Sequence, residues 1–90
     1  MGHLTRDKTK LLGRVRRLTG QMQAIERALD DEKSCGDILN LVASVRGAVN
    51  GLMAELIEEH VQQHMVEART HEARAQAAQE LVSSVRSYLK

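Results

Sequence analysis

Apolar residues recur at helical spacing along the first third of the chain. They lie three, four or seven residues apart, the spacing of a seam that packs against a partner helix. The seam consists of Leu4, Leu11, Val15, Leu18, Met22, Ile25 and Leu29. This pattern predicts a first helix from about Thr5 to Leu29, with a break over residues 30–33.

A second apolar pattern begins after Ser34 and continues to about Met65, which predicts a long central helix. Ser34 and Asp37 match a capping box, because a serine N-cap is followed three residues later by an acid. Gly47 and Gly51 lie one turn apart within this helix. Since glycine weakens a helix interior, we expect them to mark points of close helix approach.

A third, shorter and more polar helix is predicted from about His71 to Leu89. The chain contains no proline and a single aromatic residue, Tyr88, which is a helical composition. We predict one all-α domain, residues 1–90, with three helices per protomer. A chain of this length buries little core alone, so the long seams predict an antiparallel helical-bundle dimer.

Several classes of protein are excluded by what the sequence lacks. The only cysteine, Cys35, cannot form an internal disulfide, and no secretory signal is seen. No apolar run approaches the roughly 20 residues that span a bilayer. No nucleophile–base pair or cofactor motif is found. We therefore expect a cytoplasmic protein that is not an enzyme and does not enter membranes.

The net charge of +1 conceals an asymmetry along the chain. Residues 1–29 carry a net charge of +5, whereas the remainder carries −4. Lys10, Arg14, Arg17 and Gln21 fall on one narrow stripe of the first helix. A basic helix on an acidic body indicates a polyanion partner, with a solvated charged face as the alternative. Charge alone does not decide between the two.

Potential soft-metal ligands are scattered along the chain. His60 and His64 are four residues apart, so both rings project from one helix face, a common arrangement for metal binding. No glutamate follows His60, so this is not a zinc-protease motif. Cys35 lies in the predicted first turn of the second helix, outside the apolar period. The alternatives are two solvated histidines and a small buried cysteine.

Cys35 and His60 are 25 residues apart, or roughly 37 Å along a straight helix. If they share a metal ion, it must be held between subunits, with Cys35 from one chain and both histidines from its partner. His3 and the α-amine of Gly2, exposed if Met1 is removed, provide further nitrogen ligands, unless His3 is only a tail residue. His71 has no partner at helical spacing and is assigned to the surface.

Three segments of the chain resemble the CsoR/RcnR/FrmR family of bacterial transcriptional repressors. They are residues 14–21 (RVRRLTGQ), residues 45–53 (VRGAVNGLM) with the lone Cys35, and the ending SYLK. The resemblance spans nearly the whole chain. It implies an all-helical dimer of dimers that releases operator DNA when its effector binds, and DNA contacts from the basic first helix.

The resemblance also implies which effector to expect. Copper(I) sensors of the family carry cysteine where this chain has His64, and persulfide sensors need a second cysteine. The nickel/cobalt branch uses histidine, cysteine, histidine and histidine as ligands. This chain has the same residue types at the matching positions, His3, Cys35, His60 and His64. Glu80 matches a glutamate that supports the ligands in copper sensors. One thiolate with several imidazoles and an amine also suits Ni(II) and Co(II), or Zn(II), better than Cu(I).

Three hypotheses remain open from the sequence. The first is a Ni(II)- or Co(II)-responsive repressor of a metal efflux gene. The second is a formaldehyde-responsive repressor that uses the Cys35 thiol and the N-terminal amine. The third is a helical metal-binding protein with no role at DNA.

Overall fold

The structure is a computed structural model that describes residues 8–89. It contains three α-helices, α1 (Lys8–Asp30), α2 (Cys35–His60) and α3 (His71–Tyr88), and a π-helical segment (Val61–Val66) that continues α2. The all-α prediction is confirmed, and residues 8–89 contain no strand. The predicted helix start at Thr5 lies outside the described residues.

The end of α1 is a left-handed turn. Lys33 N–H donates to the Ala28 carbonyl at 2.9 Å, and Glu32 N–H donates to the Leu29 carbonyl at 3.1 Å. These two bonds define a Schellman motif, in which a residue in the left-handed region terminates the helix. Glu32 occupies that position with a φ of 54°. Because glycine is the usual residue there, Glu32 carries a conformational cost.

The start of α2 follows the predicted N-cap. The Ser34 hydroxyl oxygen accepts a hydrogen bond from the Asp37 N–H at 3.1 Å. This bond satisfies one of the backbone donors left free in a first helical turn. Cys35, the first residue of α2, is exposed.

The described chain divides into two compact units, residues 8–53 and residues 54–89. In the first unit, the Gln21 side-chain amide donates to the Ser44 hydroxyl at 3.1 Å, so α1 contacts α2. In the second unit, α3 packs against the π-helical segment. Thr70 caps α3, because its hydroxyl oxygen accepts from the Ala73 N–H at 3.0 Å.

Few apolar side chains are buried within one chain. Among the described residues, the buried apolar ones are Leu11, Ala28 and Ala77. Leu11 belongs to the predicted seam of α1, yet Met22 and Leu29 of the same seam are 54% and 59% exposed. The seam is therefore only partly covered by its own chain. None of the helices in residues 8–89 combines the length and hydrophobicity that crossing a membrane requires.

Candidate functional site

His60 and His64 are neighbours at the junction between α2 and the π-helical segment. His60 is the last residue of α2, and His64 is the fourth residue of the π-helical segment. Their ring centroids lie 5.2 Å apart, and the ring planes are inclined by 48°. Two imidazoles are thus presented together, as their spacing in the sequence predicts.

The His60 ring is oriented by α3. Its Nε2 lies 2.7 Å from the Ala77 carbonyl oxygen, and since a carbonyl only accepts, Nε2–H is the donor. The Glu80 carboxylate lies 4.0 Å from the same nitrogen. In the neutral ring, Nδ1 is then the nitrogen that carries the lone pair. Histidines that bind metals commonly donate their other ring N–H to a carbonyl or carboxylate in this way, so the His60 ring fits a metal ligand.

The π-helical segment was not predicted from the sequence. The apolar period predicted a continuous α-helix to about Met65, whereas the α-helix ends at His60 and Val61–Val66 is π-helical. Glu67 N–H donates to the Gln62 carbonyl at 3.1 Å, the five-residue spacing of a π-helix. Single π-helical turns within α-helices often lie at functional sites. Here the wider turn determines where His64 stands relative to His60.

Arg74 of α3 holds the end of the π-helical segment. Its Nε donates to the Met65 carbonyl, and one terminal guanidinium nitrogen donates to the Ala68 carbonyl, each at 3.1 Å. The Met65 carbonyl also accepts from the Ala68 N–H at 3.3 Å, and Ala68 lies beyond the segment. The planar guanidinium of Arg74 therefore links the π-helical segment and the loop that follows it to α3. Nothing in the sequence distinguishes Arg74 from a surface arginine.

Glu59 is the other residue that the sequence analysis missed. It is the buried polar residue of the described chain, with 8% exposure, and it accepts a hydrogen bond from the Gln63 side chain. This bond joins the last turn of α2 to the π-helical segment. A signal was present, because Glu59 continues the three- and four-residue spacing of the apolar residues Val45, Val49, Leu52 and Leu56.

The remaining predicted ligands are not brought to the two histidines within the described chain. Cys35 begins α2 and His60 ends it, 26 residues in all. Within residues 8–89, no group of three or more His, Cys, Asp and Glu side chains is placed to hold a metal ion. His3 and Gly2 lie outside the described residues.

The predicted DNA-binding stripe of α1 is divided between solvent and α2. Lys10 and Arg17 are exposed, whereas Arg14 and Gln21 are half-buried. The Gln21 amide is bonded to Ser44 of α2. The four residues share one stripe of α1, as their spacing predicts, and the stripe is only partly exposed.

These features define an all-helical protein with a basic first helix and two adjacent imidazoles at the end of a long second helix. The chain belongs to the family of metal-sensitive transcriptional repressors, whose model matches residues 7–87. The family consists of transcriptional repressors, so the protein is not an enzyme.

Individual relatives match over the full length of the chain. A protein of Serratia marcescens described only by its position in the bioA 5′ region is 48% identical over 91 residues, which cover all of both chains. The transcriptional repressor RcnR of Citrobacter koseri is 37% identical over 90 residues, again all of both chains. A solved structure, a variant of the formaldehyde-responsive regulator FrmR of Salmonella enterica serovar Typhimurium, is 44% identical with a TM-score of 0.86. That match covers 92% of this chain and 94% of the regulator.

Proposed function

We propose that the metal-free protein binds operator DNA and releases it on binding Ni(II) or Co(II), which derepresses a metal efflux gene. The observation that carries this proposal is the His60 ring, which lies beside His64 and is bonded through Nε2 so that Nδ1 remains available. Imidazole nitrogens suit borderline divalent ions, with Zn(II) as the competing choice.

The proposed ligands are His3, Cys35, His60, His64 and the α-amine of Gly2. An α-helix rises about 1.5 Å per residue, so the two ends of α2 are too far apart to share one ion. The ligand set therefore combines Cys35 of one protomer with the histidine pair of its partner. Metal binding and the subunit interface are coupled in this arrangement.

The exposed apolar residues of α1 and α2 support the association of subunits. Val15, Met22 and Leu29 are exposed at seven-residue intervals on α1, and Val42 and Val49 are exposed at the same interval on α2. Apolar stripes with this repeat are typical of helices that pack against a second copy. We propose that they form an antiparallel dimer and that two dimers form a homotetramer.

DNA binding is assigned to Lys10, Arg14, Arg17 and Gln21 of α1, chiefly through phosphate contacts. Such a repressor works in the cytoplasm, where its operator lies. Coupling free energies between allosteric sites are typically about 1–3 kcal/mol, so metal binding is expected to lower DNA affinity by roughly 5- to 150-fold.

The test is fluorescence anisotropy with a labelled DNA duplex taken from upstream of the proposed metal efflux gene. Ni(II), Co(II), Zn(II) and Cu(I) are added separately. Ni(II) and Co(II) are expected to release the wild-type protein and to leave His64→Ala bound. His71→Ala, which removes an exposed histidine of α3, is the matched control and is expected to respond like the wild type. DNA affinity that is unchanged by Ni(II) and Co(II) would refute the proposal.

Formaldehyde is a second candidate effector, because the chain is 44% identical to a formaldehyde-responsive regulator and Cys35 is exposed. In that case formaldehyde would join the Cys35 sulfur to the Gly2 amine through a methylene bridge, and its oxygen would leave as water with one hydrogen from the thiol and one from the amine. Intact mass after treatment distinguishes the two, since the bridge adds one carbon atom. The third hypothesis, a metal-binding protein with no role at DNA, conflicts with membership of a repressor family.

A further inference from the structure

Gly51 of α2 lies directly against the Arg14 side chain of α1. A Cβ atom placed on Gly51 would stand 3.0 Å from a terminal guanidinium nitrogen of Arg14, closer than such contacts normally are. Gly47, one turn earlier on α2, has nothing within 4 Å of the same built atom. Within residues 8–89 of one chain, the close approach predicted for both glycines is found at Gly51, and it involves a side chain.

A second contact between α1 and α2, from Gln21 to Ser44, fixes the alignment of the two helices at Arg14 and Gly51. Gln21 lies seven residues after Arg14, and Ser44 lies seven residues before Gly51. Gln21 donates to Ser44, while Arg14 meets Gly51, so the two pairs run in antiparallel order, two turns apart. Both half-buried residues of the DNA-binding stripe thus face α2, which determines the direction in which their polar groups leave α1.

The atom that a methyl group at Gly51 would meet is the far end of a flexible side chain. A substitution there would move the Arg14 guanidinium and leave the two helix backbones in place. Since alanine is a better helix former than glycine, the change is not expected to weaken α2. A Gly51 substitution is therefore expected to displace the Arg14 guanidinium without lowering the stability of the fold.

We propose that Gly51 is a positioning residue for DNA binding. Its missing side chain lets the Arg14 guanidinium lie across α2, in the orientation from which it contacts operator phosphate. A guanidinium binds phosphate through a planar fork of donors, so its direction matters as well as its charge. This inference rests on the proposed DNA-binding role of α1.

The test compares Gly51→Ala with Gly47→Ala by fluorescence anisotropy of the metal-free protein on the labelled upstream duplex, over a series of salt concentrations. Both variants are expected to melt at or above the wild-type temperature. Gly51→Ala is expected to bind about 3- to 10-fold more weakly. Its plot of log K against log salt is expected to be shallower by about 0.9 for each phosphate that the protein no longer neutralises. Gly47→Ala is expected to match the wild type in affinity and slope.

Repeating the Gly51→Ala substitution in an Arg14→Lys variant shows whether the loss of DNA affinity is caused by displacement of the Arg14 side chain. Lysine has no guanidinium to displace, so Gly51→Ala is expected to change affinity by less than about twofold there, a non-additivity of residues in contact. Equal reductions of affinity in both backgrounds, or a Gly51→Ala variant that binds as Gly47→Ala does, would overturn this inference alone. A wild-type protein that does not bind the duplex would overturn the proposed function together with it.

Discussion

Replacing Arg74 tests whether the π-helical segment holds His64 in place for metal binding. Arg74→Ala removes the hydrogen bonds to the Met65 and Ala68 carbonyls, each 3.1 Å long. Met65 follows His64 directly, so the end of the segment that carries the second imidazole loses these two bonds to α3 and keeps its backbone hydrogen bonds. Arg74→Lys keeps the charge, but its single ammonium group lacks the planar fork that reaches two carbonyls.

The structure gives a magnitude for this effect. Hydrogen bonds from a charged donor contribute about 1.5–3 kcal/mol each to stability. Arg74 is exposed, and hydrogen bonds near solvent contribute less, so we assign about 1 kcal/mol to each of its two bonds. Arg74→Ala then costs roughly 2 kcal/mol of local stability. If about 1.4 kcal/mol of this serves to hold His64, metal affinity falls about tenfold, within the range found for residues that support metal ligands. Arg74→Lys, which keeps one bond, is expected to bind metal about threefold more weakly.

The assay is a Ni(II) titration followed by absorption spectroscopy, with anisotropy of the metal-free protein on DNA measured in parallel. Arg69→Ala is the matched control, because it removes an exposed arginine from the loop before α3. We expect Arg74→Ala to weaken Ni(II) binding while metal-free DNA affinity stays at the level of the Arg69→Ala control. A folded Arg74→Ala protein with wild-type Ni(II) affinity would show that the two hydrogen bonds do not position His64.

Three further predictions concern other positions. Glu32→Gly removes the steric cost, about 1–2 kcal/mol, of a non-glycine residue in the left-handed conformation at the end of α1. This gain is partly offset by the greater backbone freedom of glycine in the unfolded chain. The free energy of unfolding in urea is therefore expected to rise by about 0.5–1 kcal/mol, and a decrease would contradict the Schellman assignment. His64→Cys is expected to shift metal preference toward Cu(I) or Zn(II) in competition titrations, because thiolate is the softer ligand; an unchanged preference would remove His64 from the site. His3→Ala is expected to weaken the Ni(II) response more than Zn(II) binding, since Zn(II) prefers four ligands; equal weakening of both would exclude His3 from metal selectivity.

The helices themselves were predictable from local pattern. Helix formation depends on residues three and four apart, so the apolar period located all three helices and the break after Asp30. The N-cap was predictable for the same reason, since Ser34 and Asp37 are neighbours in sequence as well as in space. The four-residue spacing also predicted that His60 and His64 are neighbours, whereas their relative placement depends on the π-helical turn.

Contacts between distant residues were decided only by the tertiary structure. The Ala77 carbonyl that orients His60 is 17 residues away, and the Met65 carbonyl that Arg74 binds is nine residues away. A helical period describes one helix at a time, so it placed Arg14 on the basic stripe without showing that Gly51 of α2 lies against it. The sequence by itself determined the helices and the imidazole pair, because both arise from short-range spacing. The tertiary structure decided the π-helical turn and the direction of each polar group, because these depend on which carbonyl, hydroxyl or glycine the neighbouring helix presents.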